Sequence, residues 1–463
     1  MRISYAILFF LSYLTAVLSE RPWEKFIKKS DLGSFSVPKL PEMDLIGGVK
    51  LYHYQSSLIP KVRMQISFEG GEAEEPASKK GLTSLMGECH VLSGSKEHPR
   101  TKLAEELEQK SSSFSFQNNI ERISFNIESL SANFYSDLSL ITEVITHPRF
   151  EQSDCDIIKN QILQVIKKRN ENPGQLAYIV AAMKAYENTI KGRITTTKSI
   201  SEITNDDLVS FHKRMVSKSR LTISVVGDFN LEVLKKQLNS FISTLAEGSA
   251  FNDKSIQIKP NLIQKKIYLV ESDIPQTTVL FQSPGIPHSH PDYFAMKVYD
   301  FILGGGGFSA ELMQEIRTKR GWAYSVYSQY SSEKYDGAIK IFAQTANKNT
   351  KDLINKVNEI LLSPEQFVTN DVVEKTKLSL LNKFVFLYET PTDFVNIKLS
   401  LLRDGLGENF LDTYRKRISE ITREEVIAVA KKYYAPDKFF ISLVGPASLK
   451  ADISGVETFT VPR

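Results

Sequence analysis

The stretch Ile-Ser-Glu-Ile-Thr at 200–204 returns letter for letter at 418–422, and the agreement continues without a gap. Asp206-Asp207 answers to Glu424-Glu425, Lys213 to Lys431, Ile223-Ser224 to Ile441-Ser442 and Val226-Gly227 to Val444-Gly445, all at an offset of 218. Each copy reads as a helix behind a threonine N-cap, Thr204 or Thr422, followed by a β-branched strand ending in glycine. A period of 218 residues is far too long for a solenoid and predicts two domains of one architecture.

The rest of each half agrees in order. Helices at 81–92 and 101–110 flank a polar turn and lead to a strand at 113–128; helices at 291–303 and 309–320 flank a glycine turn and lead to a strand at 322–330. Further helices are expected at 133–147, 151–170 and 174–188. Strands alternating with helical pairs predict an α+β fold of two tandem homologous domains, each a sheet covered by helices, facing each other across a cavity. The expected boundaries are 35–245 and 262–463, joined by the polar stretch from Glu247 to Ser255. A net charge of +4 over 463 residues gives no reason to propose nucleic acid as a partner.

The N-terminus is different in kind. Arg2 precedes an apolar run from Ile3 to Leu18, which turns polar at Ser19-Glu20-Arg21-Pro22. Residues 1–19 read as a secretory signal peptide, because the run is short of the roughly 20 residues that a membrane span needs. Export to a periplasm or the extracellular space is expected, with an uncleaved anchor as the alternative. Two cysteines, Cys89 and Cys155, are too few for a disulfide framework.

Residues 304–324 carry the densest local signal. Four glycines, Gly304, Gly305, Gly306 and Gly307, suggest backbone that bends sharply or lies close to something. No Gly-Lys-Ser/Thr follows them, so a Walker phosphate loop is excluded. The segment before them reads as a helix, which argues against a dinucleotide turn. Ser309 is a candidate N-cap and Gly321 a candidate helix end, with Arg317 in the last turn and Tyr324 beyond it. On these residues alone, two readings stay open. Arg317 and Tyr324 belong to a binding site, or Arg317 satisfies helix-end carbonyls while Tyr324 packs in a core.

Gly70-Gly71, Gly81-Leu82, Asn172-Pro173, Gly192-Arg193 and Val226-Gly227-Asp228, then Leu303 to Ala310 and Ile316 to Tyr324, stand in one order along the chain. With these landmarks the chain resembles the pitrilysin/insulinase-type zinc metallopeptidases over nearly its whole mature length. In that family an inverted motif, His-x-x-Glu-His, follows the glycine–leucine pair and supplies two zinc ligands and a general base. Here the five positions read Ser84-Leu85-Met86-Gly87-Glu88: Ser84 and Glu88 replace the histidines, Gly87 replaces the base, and Val165 falls at the third ligand. His-x-x-Glu-His and His-Glu-x-x-His occur nowhere in the chain. It is therefore not expected to be a zinc peptidase by itself, nor to hold a metal of its own. A relocated site would have to come from Glu88, Cys89, His90 and His98, or from His288 and His290.

The resemblance implies further expectations. Arg317 and Tyr324 match an arginine–tyrosine pair with which the family grips a peptide carbonyl across the cavity. Retaining the grip without the metal implies a non-catalytic subunit of an exported heterodimer, with zinc in a homologous partner chain and an unfolded polypeptide as substrate. An inactive structural homologue and an enzyme with relocated ligands are the alternatives. The same frame sets Glu88 opposite Val165. Cys155 then lies ten residues off, about 15 Å along a helix, against a limit of about 7 Å for a disulfide; two free thiols are expected.

Overall fold

The computed structural model describes residues 39–463 apart from 254, 255, 257, 262–264 and 408, so the segment read as a signal peptide lies outside the described residues. Residues 39–463 form one compact unit built on two six-stranded sheets. The first contains β1 (Glu42–Asp44), β2 (Lys50–Gln55), β3 (Lys61–Glu69), β4 (Ser113–Asn118), β5 (Arg122–Leu130) and β6 (Leu221–Gly227). The second contains β7 (Ile267–Glu271), β8 (Gln276–Pro284), β9 (Ala323–Ser332), β10 (Gly337–Ala346), β11 (Phe440–Gly445) and β12 (Val456–Thr458).

The strand orders are β1-β2-β6-β3-β5-β4 and β12-β7-β11-β8-β10-β9. Five strands of each sheet correspond, including one parallel pair, β2 with β6 and β7 with β11. The helices that position the site are α1 (Leu82–Ser93), α2 (Arg100–Gln109), α3 (Phe134–Thr146), α4 (Gln152–Lys168), α5 (Pro173–Ala185), α6 (Asn205–Met215), α7 (Tyr293–Asp300), α8 (Pro391–Arg403) and α9 (Arg423–Tyr433).

The repeat is visible in local chemistry. Thr204 and Thr422 each accept a hydrogen bond from the backbone three residues on, and Asp207 and Glu425 bond back to close a capping box. The expected strand 113–128 is two strands. Asn119 Oδ1 accepts from the backbone N–H of Glu121 and Arg122, at 2.9 and 3.0 Å, and folds the chain into a hairpin.

Each half covers one face of its sheet with its own helices and receives its other cover from the opposite half. α5 lays Leu176, Ala177, Val180 and Ala181 on Leu280, Phe342, Phe440 and Val444 of the second sheet. α8 lies on β2 and β6 of the first sheet, with the Phe394 ring 5.6 Å from Tyr54. α5 and α8 begin at Pro173 and Pro391, 218 residues apart, behind Asn172 and Thr390 as side-chain caps. The exchange also carries a polar bond: Lys191 bonds Asp336 at 2.7 Å, and the Tyr186 hydroxyl donates to the same carboxylate at 2.9 Å.

Candidate functional site

Helix α1 holds the five positions of the degenerate motif. Gly81 enters it at φ +101°, and the buried Glu75 carboxylate accepts from the backbone N–H of Gly81 and Thr83 at 3.2 and 2.7 Å. This arrangement fixes the helix start. Ser84 faces the sheet edge and donates to Asn118 Oδ1 at 3.2 Å. Gly87 lies flat against Phe116, whose ring would stand 2.1 Å from any Cβ placed there. Glu88 points outward, and partial desolvation by the surface lifts its carboxyl above the ordinary range.

The cysteines overturn an expectation. Cys89 and Cys155 form a disulfide with Cα atoms 4.8 Å apart, so neither is a free thiol. The two helices cross where Cys89 meets the first turn of α4. Val165 is 64% exposed and lies about 15 Å along α4 from Cys155.

These residues do not fit a catalytic zinc. The base position is closed by an aromatic ring, the first ligand position is a hydrogen-bonded serine, and the third is an exposed valine, which has no atom to offer a metal. The relocated sets fare no better. Cys89 is spent in the disulfide, and buried His90 donates through Nε2 to the Val144 carbonyl at 3.0 Å. His98 Nδ1 lies 3.2 Å from Glu143. His288 is within 3.9 Å of Asp404, whereas His290 is turned to Asp292. Among the described residues, no group of three or more His, Cys, Asp or Glu is placed to hold a metal.

The second cluster is assembled. The chain leaves α7 through a wide π-helical turn at Phe301–Gly305, and a second such turn spans Met313–Thr318. Gly304 is required by close approach, since a Cβ would meet Ser328 N at 2.1 Å. Gly307 turns the chain at φ +72°. Ser309 is not the N-cap; its hydroxyl donates back to the Gly306 carbonyl at 3.4 Å. Gly321 does end the segment, at φ +63°, with its N–H on the Arg317 carbonyl at 2.9 Å.

Arg317 and Tyr324 meet at the mouth of this loop. The guanidinium carbon lies 4.6 Å from the centre of the Tyr324 ring and 5.2 Å from that of Phe308. Tyr324 is 82% exposed and Phe308 71%, which removes the core reading of the tyrosine. Among the described residues, Arg317 has no carboxylate partner; Met313 sulfur is its hydrogen-bond acceptor, at 4.0 Å. Neighbouring Glu315 is taken by Lys319 and Arg320, which hold its carboxyl down at about 2. The cleft, about 670 Å³, is lined by residues between Asp300 and Gln329. The Ser84-to-Glu88 segment lines none of it.

Two equivalent sheet-and-helix domains, a peptidase-type motif helix without its metal groups and an arginine laid over an exposed tyrosine define a peptidase-fold protein that lacks its own zinc site. Two family models match in succession: "Insulinase (Peptidase family M16)" over residues 53–198 and "Peptidase M16 inactive domain" over residues 202–380. The chain belongs to the insulinase family, peptidase family M16. It is 25% identical over 384 residues to the "non-peptidase homolog YmxG" of Helicobacter pylori, covering 82% of this chain and 87% of that protein. It is 21% identical over 427 residues to an uncharacterized zinc protease of Rickettsia felis, covering 90% and 99%. In fold it is similar to a peptidase M16 inactive domain from Pseudomonas fluorescens, with a TM-score of 0.78 at 24% identity over 89% of this chain and 99% of that one. The periplasmic protease PqqL of Escherichia coli gives a TM-score of 0.73 at 15% identity, and this chain spans 46% of its length.

Proposed function

We propose that this chain is the non-catalytic, peptide-binding subunit of an exported heterodimeric zinc metalloendopeptidase of the insulinase family. One observation carries the reading. Half-buried Arg317, with no carboxylate partner among the described residues, lies over exposed Tyr324 beside the glycine cleft, in a chain whose motif helix is closed by Phe116. A guanidinium and a phenol both donate hydrogen bonds to a peptide carbonyl, and stabilise negative charge that develops on its oxygen. A homologous partner chain supplies the zinc and the general base.

Two further facts support parts of the reading. The chain matches about half the length of PqqL, which leaves room in such a protein for a second unit of this size. The disulfide suits an oxidising compartment, in keeping with Arg2 and the Ile3–Leu18 run as a leader. Among the described residues, no helix is long and apolar enough to cross a membrane.

The test is purification of the chain alone and with a co-expressed relative that carries an intact His-x-x-Glu-His. The reading expects a stable pair, with zinc bound by the relative, that hydrolyses unfolded peptides. Failure to pair contradicts it, and a stable pair that hydrolyses no better than the relative alone favours a purely structural homologue.

A further inference from the structure

The duplication provides an internal control for the exchanged helices. At the 218-residue offset, Tyr178, Ala182 and Ala185 of α5 correspond to Asn396, Ser400 and Arg403 of α8. Strand register gives the matching comparison beneath. Gln65 lies across from Ser224 and Asn126, whereas Leu280 lies across from Ser442 and Phe342. One copy of the seam is therefore closed by apolar packing and the other is polar on both sides.

The polar seam is not closed. Between the first sheet and α8 lies a cavity of about 280 Å³ whose nine lining residues are all polar and include no carboxylate. Gln65, Asn118, Asn396 and Ser400 contribute neutral groups, and Arg122 and Arg403 contribute two cations. Both arginines also border the adjoining cavity, which holds Lys334 and the carboxylates of Glu69, Glu121 and Asp253. Among the described residues, neither guanidinium is in an ion pair or a hydrogen bond.

Burial pushes Arg403 down to about 10, and the like charge of Arg122 adds to the effect against the pull of Asp404 and Glu69. Burial also lowers Arg122, against the opposing pull of Glu121 and Asp404. The Asn126 side-chain N–H of the same sheet face is buried without a partner, although its oxygen accepts from Gln65 at 2.9 Å. Two half-buried guanidiniums at one cavity, with an orphan amide on the same sheet face, are costly unless something accepts their hydrogen bonds.

We propose that the cavity between the first sheet and α8 binds an oxyanion held between Arg122 and Arg403. A carboxylate and a phosphate share the required chemistry, since each presents oxygen acceptors to guanidinium forks. The free carboxylate of a peptide end and inorganic phosphate are the two sources. The site stands apart from the Arg317–Tyr324 grip, which lies on the edge of the other sheet, so the failure of one leaves the other intact.

Thermal unfolding of the full chain is followed at constant ionic strength against inorganic phosphate, and against one short peptide as its free acid and as its amide. A saturable rise in Tm with phosphate, or with the free acid but not the amide, is expected and identifies the source. Arg122→Gln and Arg403→Gln each weaken that binding by about tenfold or more. Ser400→Leu, which keeps both arginines and fills the cavity, abolishes it. Lys198→Gln, removing an exposed cation elsewhere, leaves it unchanged. No saturable response to either anion, or a response unaltered in both glutamine variants and in Ser400→Leu, overturns the proposal.

Discussion

Phe116 and Gly87 occupy one space between them: a Cβ on Gly87 would stand 2.1 Å from the Phe116 ring. The position of the family's general base is closed by packing and cannot be reopened by one substitution. Gly87→Glu is expected to lower stability by about 3 kcal/mol through overpacking, measured by denaturant unfolding. Combining it with Ser84→His and Glu88→His is expected to yield no stoichiometric zinc by metal analysis, because Val165 offers no ligand atom and the Phe116 ring crowds position 87.

The Cys89–Cys155 bond joins the motif helix to α4 and closes a loop of 66 residues. On the loop-entropy account such a crosslink stabilises by about 4 kcal/mol. Reduction, or Cys89→Ala with Cys155→Ala, is expected to lower the unfolding midpoint accordingly. Alkylation under denaturing, non-reducing conditions should label neither cysteine, and labelling of both would place the protein in the reduced state.

His90 of α1 and His212 of α6 meet edge to face, with ring centres 5.0 Å apart. Each donates through Nε2 to the end of α3, His90 to Val144 and His212 to Ile145, both at 3.0 Å. Burial holds His212 down at about 4, and burial with the His212 neighbour drives His90 well below its ordinary value. The folded state therefore binds fewer protons than the unfolded state between these values and about 6.5. Stability is full above pH 6.5 and falls as the pH drops towards 4, by about 3 kcal/mol for His212 alone. Urea midpoints measured from pH 7.5 to 4 check this slope, and His212→Gln should flatten it.

Asp336 is 5% exposed and pairs with Lys191 across the two halves. Lys191→Met leaves that carboxylate buried with Tyr186 as its remaining donor, at an expected cost of about 3 kcal/mol. Double substitution with Asp336→Asn should recover part of the loss, and a simple sum of the two single effects would show that the pair is uncoupled.

Much of this architecture was legible in the residues. The 218-residue offset, the threonine caps and the glycine stop at 321 all rest on chemistry local in sequence. What was lost was tertiary. The hairpin at 119–121 turns on one asparagine side chain within an otherwise strand-like run. The disulfide depends on where two helices cross, which a count of residues along one helix does not give. The exposure of Tyr324, at the start of an edge strand, depends on what the other elements leave uncovered. The exchanged helices left a trace that could have been read: Arg403 falls where the first copy has Ala185, an apolar-to-charged change inside an otherwise matching frame.

The central claim is that Arg317 and Tyr324 act on a peptide whose cleavage depends on another chain. The most direct measurement is hydrolysis of an unfolded peptide by the purified pair carrying Arg317→Ala or Tyr324→Phe in this chain, with zinc content determined alongside. Loss of a donor to a developing oxyanion predicts a fall in kcat of about 100-fold with zinc unchanged. Unaltered kcat in an intact pair carrying either variant would contradict the account.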